Sequence, residues 1–291
     1  MIRTDLAIEA KEVYGADEEG IESKTETKCG LEINTIIIKN ESAAKKLDKS
    51  VGTYITVEIP SLTSSYRQAD EKIEELGDII NSLLPKEGLI LVAGIGNIDI
   101  TPDALGPKAM PNVLATRHIT GELAKQTGLD DLRPAAVLAP GVLGQTGIET
   151  GELIFSVTEK IKPSAVIVVD ALASRRLERL GCTIQICDTG ISPGAGVGNN
   201  RLRINKDTLG IPVIGIGVPT VVDAVTLATD LLGYPITPNV KKNMSPQFQS
   251  MVVTPREIDM LTDRAAKLIG MAINCALQSN YSVTDLMALV G

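Results

Sequence analysis

Residues 88–107 read Gly-Leu-Ile-Leu-Val-Ala-Gly-Ile-Gly-Asn-Ile-Asp-Ile-Thr-Pro-Asp-Ala-Leu-Gly-Pro. Leu89 to Ala93 is a short apolar run of the kind that forms a strand buried on both faces of a parallel sheet. It runs into a tight turn, Gly94-Ile95-Gly96-Asn97, and then a loop carrying Asp99 and Asp103. In open α/β sheets, ligands and chemistry gather just past the carboxyl ends of the strands. A second acid is delivered in the same way, because Ala165 to Val169 is apolar and Asp170 ends the run. Two carboxylates on one rim can share a proton or share a metal, and both arrangements serve hydrolysis.

Outward from this stretch, strands alternate with helices. Strands are expected at 35–38, 53–59, 136–139, 183–187 and 213–216. Helices are expected at 69–84, from about 103, and at 150–161, 172–180, 219–232, 255–277 and 282–290. Thr254 reads as an N-cap with Glu257 three residues on, a capping box. The pattern predicts one α/β domain over 1–291, a three-layer, mostly parallel, doubly wound sheet. Residues 1–31 read as a polar arm or exposed hairpin, and 234–250 as a long polar loop.

The 291 residues are 44% hydrophobic but hold no Trp, two Phe and five Tyr, so the core must be aliphatic. The net charge of −8, with no basic run longer than a pair, argues against a nucleic acid as direct ligand and is compatible with a basic protein partner. No apolar run approaches the ~20 residues of a membrane helix. The four cysteines form no CxxC pair and read as reduced thiols of a cytosolic protein.

One histidine, His118, is present, which removes an HExxH zinc site. We read it as structural, on a helix or its end. Gly94-x-Gly96 invites a dinucleotide fingerprint, but Asp99 stands at the third glycine position, where a carboxylate would repel pyrophosphate. Asp103 and Asp170 are the leading catalytic candidates. Asp99 and Asp188, taken to sit at equivalent rims, are reserve acids. Asn97 and the loop glycines Gly194, Gly196 and Gly198 are candidates for holding substrate or an oxyanion through backbone N–H groups. The stretch Pro140 to Gly147 is expected to line the same cleft.

Several motifs resemble the spore germination proteases. They are Gly96-Asn97 with Thr101-Pro102-Asp103-Ala104-Leu105-Gly106-Pro107, Ala139-Pro140-Gly141-Val142-Leu143-Gly144-Gln145-Thr146-Gly147, Val168-Val169-Asp170-Ala171-Leu172-Ala173, and Ile184-Gln185-Ile186-Cys187-Asp188-Thr189-Gly190. Gly210 to Ala224, Arg3 to Ala10 and Val253 to Asp259 add to them, so that the likeness spans nearly the whole chain. The resemblance implies an endopeptidase that degrades small acid-soluble spore proteins during germination, in the cytoplasm of the spore core. It also implies a fold similar to the hydrogenase maturation proteases and a homotetramer. The family is made as a zymogen, and Arg3 to Ala10 resembles its mature amino terminus; only Met1-Ile2 precede that motif here, so autoprocessing is not inferred.

In the related maturation proteases the acids corresponding to Asp103 and Asp170 bind metal with the help of a histidine, and no matching histidine is evident here. The expectation is therefore a cofactor-free aspartate pair sharing one proton, one acid activating water and the other protonating the carbonyl oxygen or leaving amine. A divalent metal held by Asp103 and Asp170 is the alternative, and a non-catalytic module that binds spore proteins is the rival from another class.

Overall fold

The computed structural model describes residues 3–14, 19–59, 70–193, 202–233, 248 and 251–290. In chain order its elements are α1 (Ala7–Tyr14), β1 (Ile21–Lys28), β2 (Leu31–Ile38), α2 (Glu41–Leu47), β3 (Gly52–Glu58), α3 (Asp70–Leu83), β4 (Ile90–Gly94), α4 (Leu105–Ala109) and α5 (Gly121–Thr127). There follow β5 (Ala135–Leu138), α6 (Leu143–Thr146), α7 (Thr150–Ile161), β6 (Ala165–Ser174), β7 (Thr183–Cys187), α8 (Lys206–Leu209), β8 (Val213–Asp223), α9 (Ala224–Leu232), β9 (Val252–Val253), α10 (Ile258–Leu277) and α11 (Val283–Val290).

The strands form one sheet in the order β1-β2-β3-β7-β8-β6-β4-β5, with β9 added to the end of β8. The α/β class is as expected, but the sheet is mixed rather than mostly parallel. Among the described strands only β4–β5, β4–β6 and β6–β8 pair in parallel. β1 through β3, β7 and β9 join antiparallel. The expected polar arm supplies both α1 and the edge strand β1, which forms a hairpin with β2.

Period-two alternation sorts the strand side chains into two layers. Ile90, Val92, Ile167, Val169, Ile214 and Ile216 face α3, α4, α10 and α11. Leu91, Ala93, Val166, Val168 and Val213 face the opposite way, against Ile154 of α7 and Leu209 of α8. Further along this second face, Ile36, Ile38 and Tyr54 pack on α1 and α2. Each fully buried Ile, Leu or Val side chain contributes about 1.5–3 kcal/mol relative to exposure. No helix among the described residues is long and apolar enough to cross a membrane.

Three local expectations fail for identifiable reasons. Residues 172–180 do not form a helix: β6 runs on to Ser174, and only a 3-10 turn, Leu177–Arg179, follows. The helix expected from Pro219 starts at Ala224, because β8 continues through the proline. The nitrogen of Pro219 points to the β7 side, where pairing stops at Gly217, so the missing N–H breaks no ladder bond there. Thr254 is not a cap; its hydroxyl donates to the Thr220 carbonyl at 2.8 Å, and α10 begins later with no side-chain cap.

Candidate active site

β4 stops at Gly94 because the chain must turn there. The Ile95 N–H makes the last bond to β6, at the Val169 carbonyl, 2.9 Å. Gly96 then takes φ +120, and a Cβ on it would lie 2.0 Å from the Asp103 carbonyl oxygen. Only glycine allows that approach. The 3-10 turn Thr101–Asp103 returns the chain to the rim. The Asn97 N–H donates to Asp103 Oδ2 at 2.8 Å, so the carboxylate is fastened to the turn it closes. The Asn97 Oδ1 accepts from the Asp99 N–H and from Gln145 Nε2, and that same amide nitrogen also donates to Asp99 Oδ2. Asp99 is exposed and serves this surface clasp.

Asp170 lies within β6, one residue beyond the last pair with β4, Gly94↔Val169, and opposite Gly217 of β8. It has the parity of Val166 and Val168, which directs its side chain to the second face. It is 7% exposed, and its Oδ1 accepts the N–H of Ala171 at 2.9 Å. Asp103 and Asp170 both line one cleft of about 1480 Å³ on that face, in the gap between α1/α2 and α7/α8. Two acids far apart in sequence thus share a solvent space at the carboxyl ends of β4 and β6.

The reserve acid Asp188 goes elsewhere, and the assumption of equivalent rims is corrected. β7 is antiparallel to β8, so its carboxyl end lies toward the start of the parallel strands. There Asp188 Oδ1 accepts the Thr53 N–H at 2.7 Å and closes the β3–β7 ladder. His118 occupies an exposed turn rather than a helix, beside Thr116 and Arg117, whose N–H groups bond the first residue of β5. That is the edge opposite the two acids. Gly194, Gly196 and Gly198, and nearly all of 234–250, lie outside the described residues. Cys187 is buried, and burial pushes its thiol up, which keeps it protonated. All four cysteines are free.

The cleft has further polar lining that the sequence pattern does not mark. Asp5 and Lys49 belong to it. Lys49 Nζ donates to the Thr4 carbonyl at 2.8 Å, and burial pulls its ammonium below the ordinary range against the pull of Asp5 and Asp48. Gln185 of β7 clasps the same segment, donating to the Asp5 carbonyl and accepting the Ala7 N–H. Glu9 of α1 is fully buried and accepts the N–H groups of Arg175 and Arg176 and the Thr4 hydroxyl. Burial pushes its carboxyl up, with those bonds and Arg179 opposing. No sequence pattern marks these contacts, because all but the Thr4–Glu9 bond depend on a partner more than 40 residues away.

Among the described residues no group of three or more His, Cys, Asp or Glu side chains is placed to hold a metal ion. The rim offers two carboxylates, which is short of the three protein ligands typical of catalytic zinc. Among the described residues this donor set falls short of a dedicated metal site.

Comparison with known proteins gives the family of the chain. A family described as germination protease matches residues 3–244. The chain belongs to the germination protease family. A germination protease of Caldanaerobacter subterraneus subsp. tengcongensis is 43% identical over 99% of this chain and 98% of its own length. That of Bacillus subtilis is 35% identical over 97% and 95%. Membership makes the chain a peptidase by family. Among solved structures, a NiFe hydrogenase maturation protease from Thermococcus kodakarensis is similar at 18% identity, covering 67% of this chain and 98% of its own, with a TM-score of 0.37. Likeness at that level leaves the architecture to be read from the sheet itself.

Proposed function

We propose that this germination protease is a spore endopeptidase that degrades small acid-soluble spore proteins, and that Asp103 and Asp170 activate the attacking water. What supports the reading is the convergence of these two acids on one cleft. One carboxylate takes a proton from water as the oxygen attacks the peptide carbonyl. The other, protonated, gives its proton to the carbonyl oxygen; as the C–N bond breaks, the leaving amine takes the proton that the first acid removed from water, and a diol hydroxyl returns its proton to the second acid, which restores the pair. Asp170 is buried and its Oδ1 accepts the Ala171 N–H, which fixes its carboxyl at the cleft. Asp103 is held in the same way by the Asn97 N–H, so each acid is positioned by one backbone donor.

The test is Asp103→Asn and Asp170→Asn, with cleavage of a small acid-soluble spore protein followed by mass spectrometry. Each is expected to lower kcat by about 10²–10⁴-fold with the circular dichroism spectrum unchanged. Near-normal cleavage in either variant removes that residue. Intact substrate bound at stoichiometric ratio by the unmodified chain favours a binding module instead. Activity lost to a chelator and restored by a divalent ion favours metal chemistry on the same acids.

The same reading places the protein in the spore core and as a homotetramer. Exposed apolar side chains at Leu231 and Leu232 of α9 and at Met251 support self-association, which light scattering would measure. Synthesis as a zymogen belongs to it too, and sequencing the amino terminus of the chain isolated from spores before and after germination checks it.

A further inference from the structure

Among the described residues the β4 side of β6 has no strand beside it beyond Val169, since the β4–β6 pairing ends at Gly94↔Val169. On the other side β6 stays paired with β8 as far as Ser174↔Val222. Backbone groups alternate sides along a strand. The Val169 carbonyl bonds Ile95 on the β4 side, and the Val166 N–H bonds Pro212 on the β8 side. Ala171 and Ala173, with the parity of Val169, therefore turn their backbone groups toward the vacated side. Both line the cleft that Asp103 and Asp170 share.

This edge is already in use. The Asp5 N–H donates to the Ala173 carbonyl at 2.8 Å, and the Ala173 N–H donates to Asp5 Oδ2 at 2.8 Å. The Ala171 N–H is taken by Asp170 Oδ1, which leaves the Ala171 carbonyl facing the cleft. Among the described residues, Asp5 is the chain's own backbone contact with this edge. A buried sheet edge beside two acids offers what an extended polypeptide needs, main-chain bonds that do not depend on sequence.

We propose that the Ala171–Ala173 edge of β6 is the subsite on which the substrate polypeptide docks as an added strand, and that residues 3–5 are a tethered occupant that competes for it. The proposal rests on the peptidase reading for the identity of the substrate, and adds how the substrate is held. Release of Asp5 exposes the two backbone groups of Ala173 next to the open Ala171 carbonyl. An incoming chain that pairs there runs past Asp170 in an extended form, with its alternate residues bonded to the edge.

The test uses the full chain carrying Asp5→Ala and Asp103→Asn. The probe is a fluorescein-labelled peptide with the sequence of residues 2–7, Ile-Arg-Thr-Asp-Leu-Ala, bearing a single backbone N-methyl group at each position in turn. Fluorescence anisotropy is expected to show binding, with tenfold or greater losses at alternate positions and small changes between them. Absence of binding, or a scan that is flat along the peptide, overturns the subsite. The same scan on the chain with Asp5 intact, should the variant fold poorly, is expected to show weaker binding with the same alternation. In cleavage assays Asp5→Ala is expected to lower KM at least threefold, while Asp5→Asn, which keeps the acceptor oxygen, stays close to the unmodified chain. A KM that does not fall overturns the competition. Cleavage with a flat scan sinks the subsite and spares the peptidase reading; an alternating scan without cleavage does the reverse.

Discussion

Gly96→Ala is the sharpest single test of how the aspartate turn is built. The Cβ it adds would lie 2.0 Å from the Asp103 carbonyl oxygen, where real Cβ atoms keep at least 3.0 Å, so the turn must open by about 1 Å. The φ of +120 adds a further cost, because an L side chain rarely adopts it. A residue held in such a sparsely populated conformation costs about 1–3 kcal/mol, and forced contact adds about as much again. We expect a loss of about 3–5 kcal/mol in urea unfolding. Asp103 would move with the turn, and a displacement of about 1 Å at a catalytic group costs on the order of 10²-fold in rate. The control is Gly210→Ala, also at positive φ but with nothing within 4 Å of an added Cβ, which should lose only about 1 kcal/mol and keep its activity. Cleavage by Gly96→Ala within threefold of the unmodified chain, at stability within 1 kcal/mol, would refute the idea that this contact positions Asp103.

Other consequences follow from the same contacts. Asn97→Ala removes the oxygen that gathers the Asp99 N–H and Gln145, and should lower kcat/KM about tenfold, or about 1.4 kcal/mol, in steady-state cleavage. Glu9→Ala leaves the part-buried N–H groups of Arg175 and Arg176 without their acceptor and should cost about 2–4 kcal/mol by urea unfolding, while Glu9→Gln, which keeps one acceptor oxygen, should cost less than that. The Tyr54 phenol is pushed up to about 12 by burial, from an ordinary 10.0. Its folded value lies above its unfolded one, so its contribution is full below pH 10 and is lost as pH rises toward 12, by about 2–3 kcal/mol in total. Tyr54→Phe should flatten that part of the stability–pH curve, and an unchanged curve would discount the burial of this hydroxyl.

The parallel centre of the sheet was legible because β4 and the first half of β6 are buried on both faces and therefore read as unbroken apolar runs. The alternation in β3 was legible as well. The second half of β6 was not. Ala171, Leu172 and Ala173 favour helix locally, and their strand conformation comes from pairing with β8 and from Asp5, partners that a window of sequence does not contain. The direction of β7 was hidden for the same reason. A five-residue strand carries no sign of whether it runs with or against its neighbour, and with that sign went the placement of Asp188. The two acids could be nominated because each follows an apolar run directly. The wall formed by Asp5 and Lys49 could not, because Asp5, in a polar amino-terminal stretch, and Lys49, in the turn between α2 and β3, both look like solvated surface until the chain folds.

The outer borders of the sheet bear on where a foreign strand can attach. At one border β1 is exposed from Glu22 to Lys28 and alternates charged and hydroxyl side chains, a composition that resists stacking against another copy. At the other, β5 has four residues, too few to template a long partner. The sheet of the described residues thereby avoids self-templated aggregation at its perimeter, while its receptive backbone is confined to an interior notch guarded by residues 3–5.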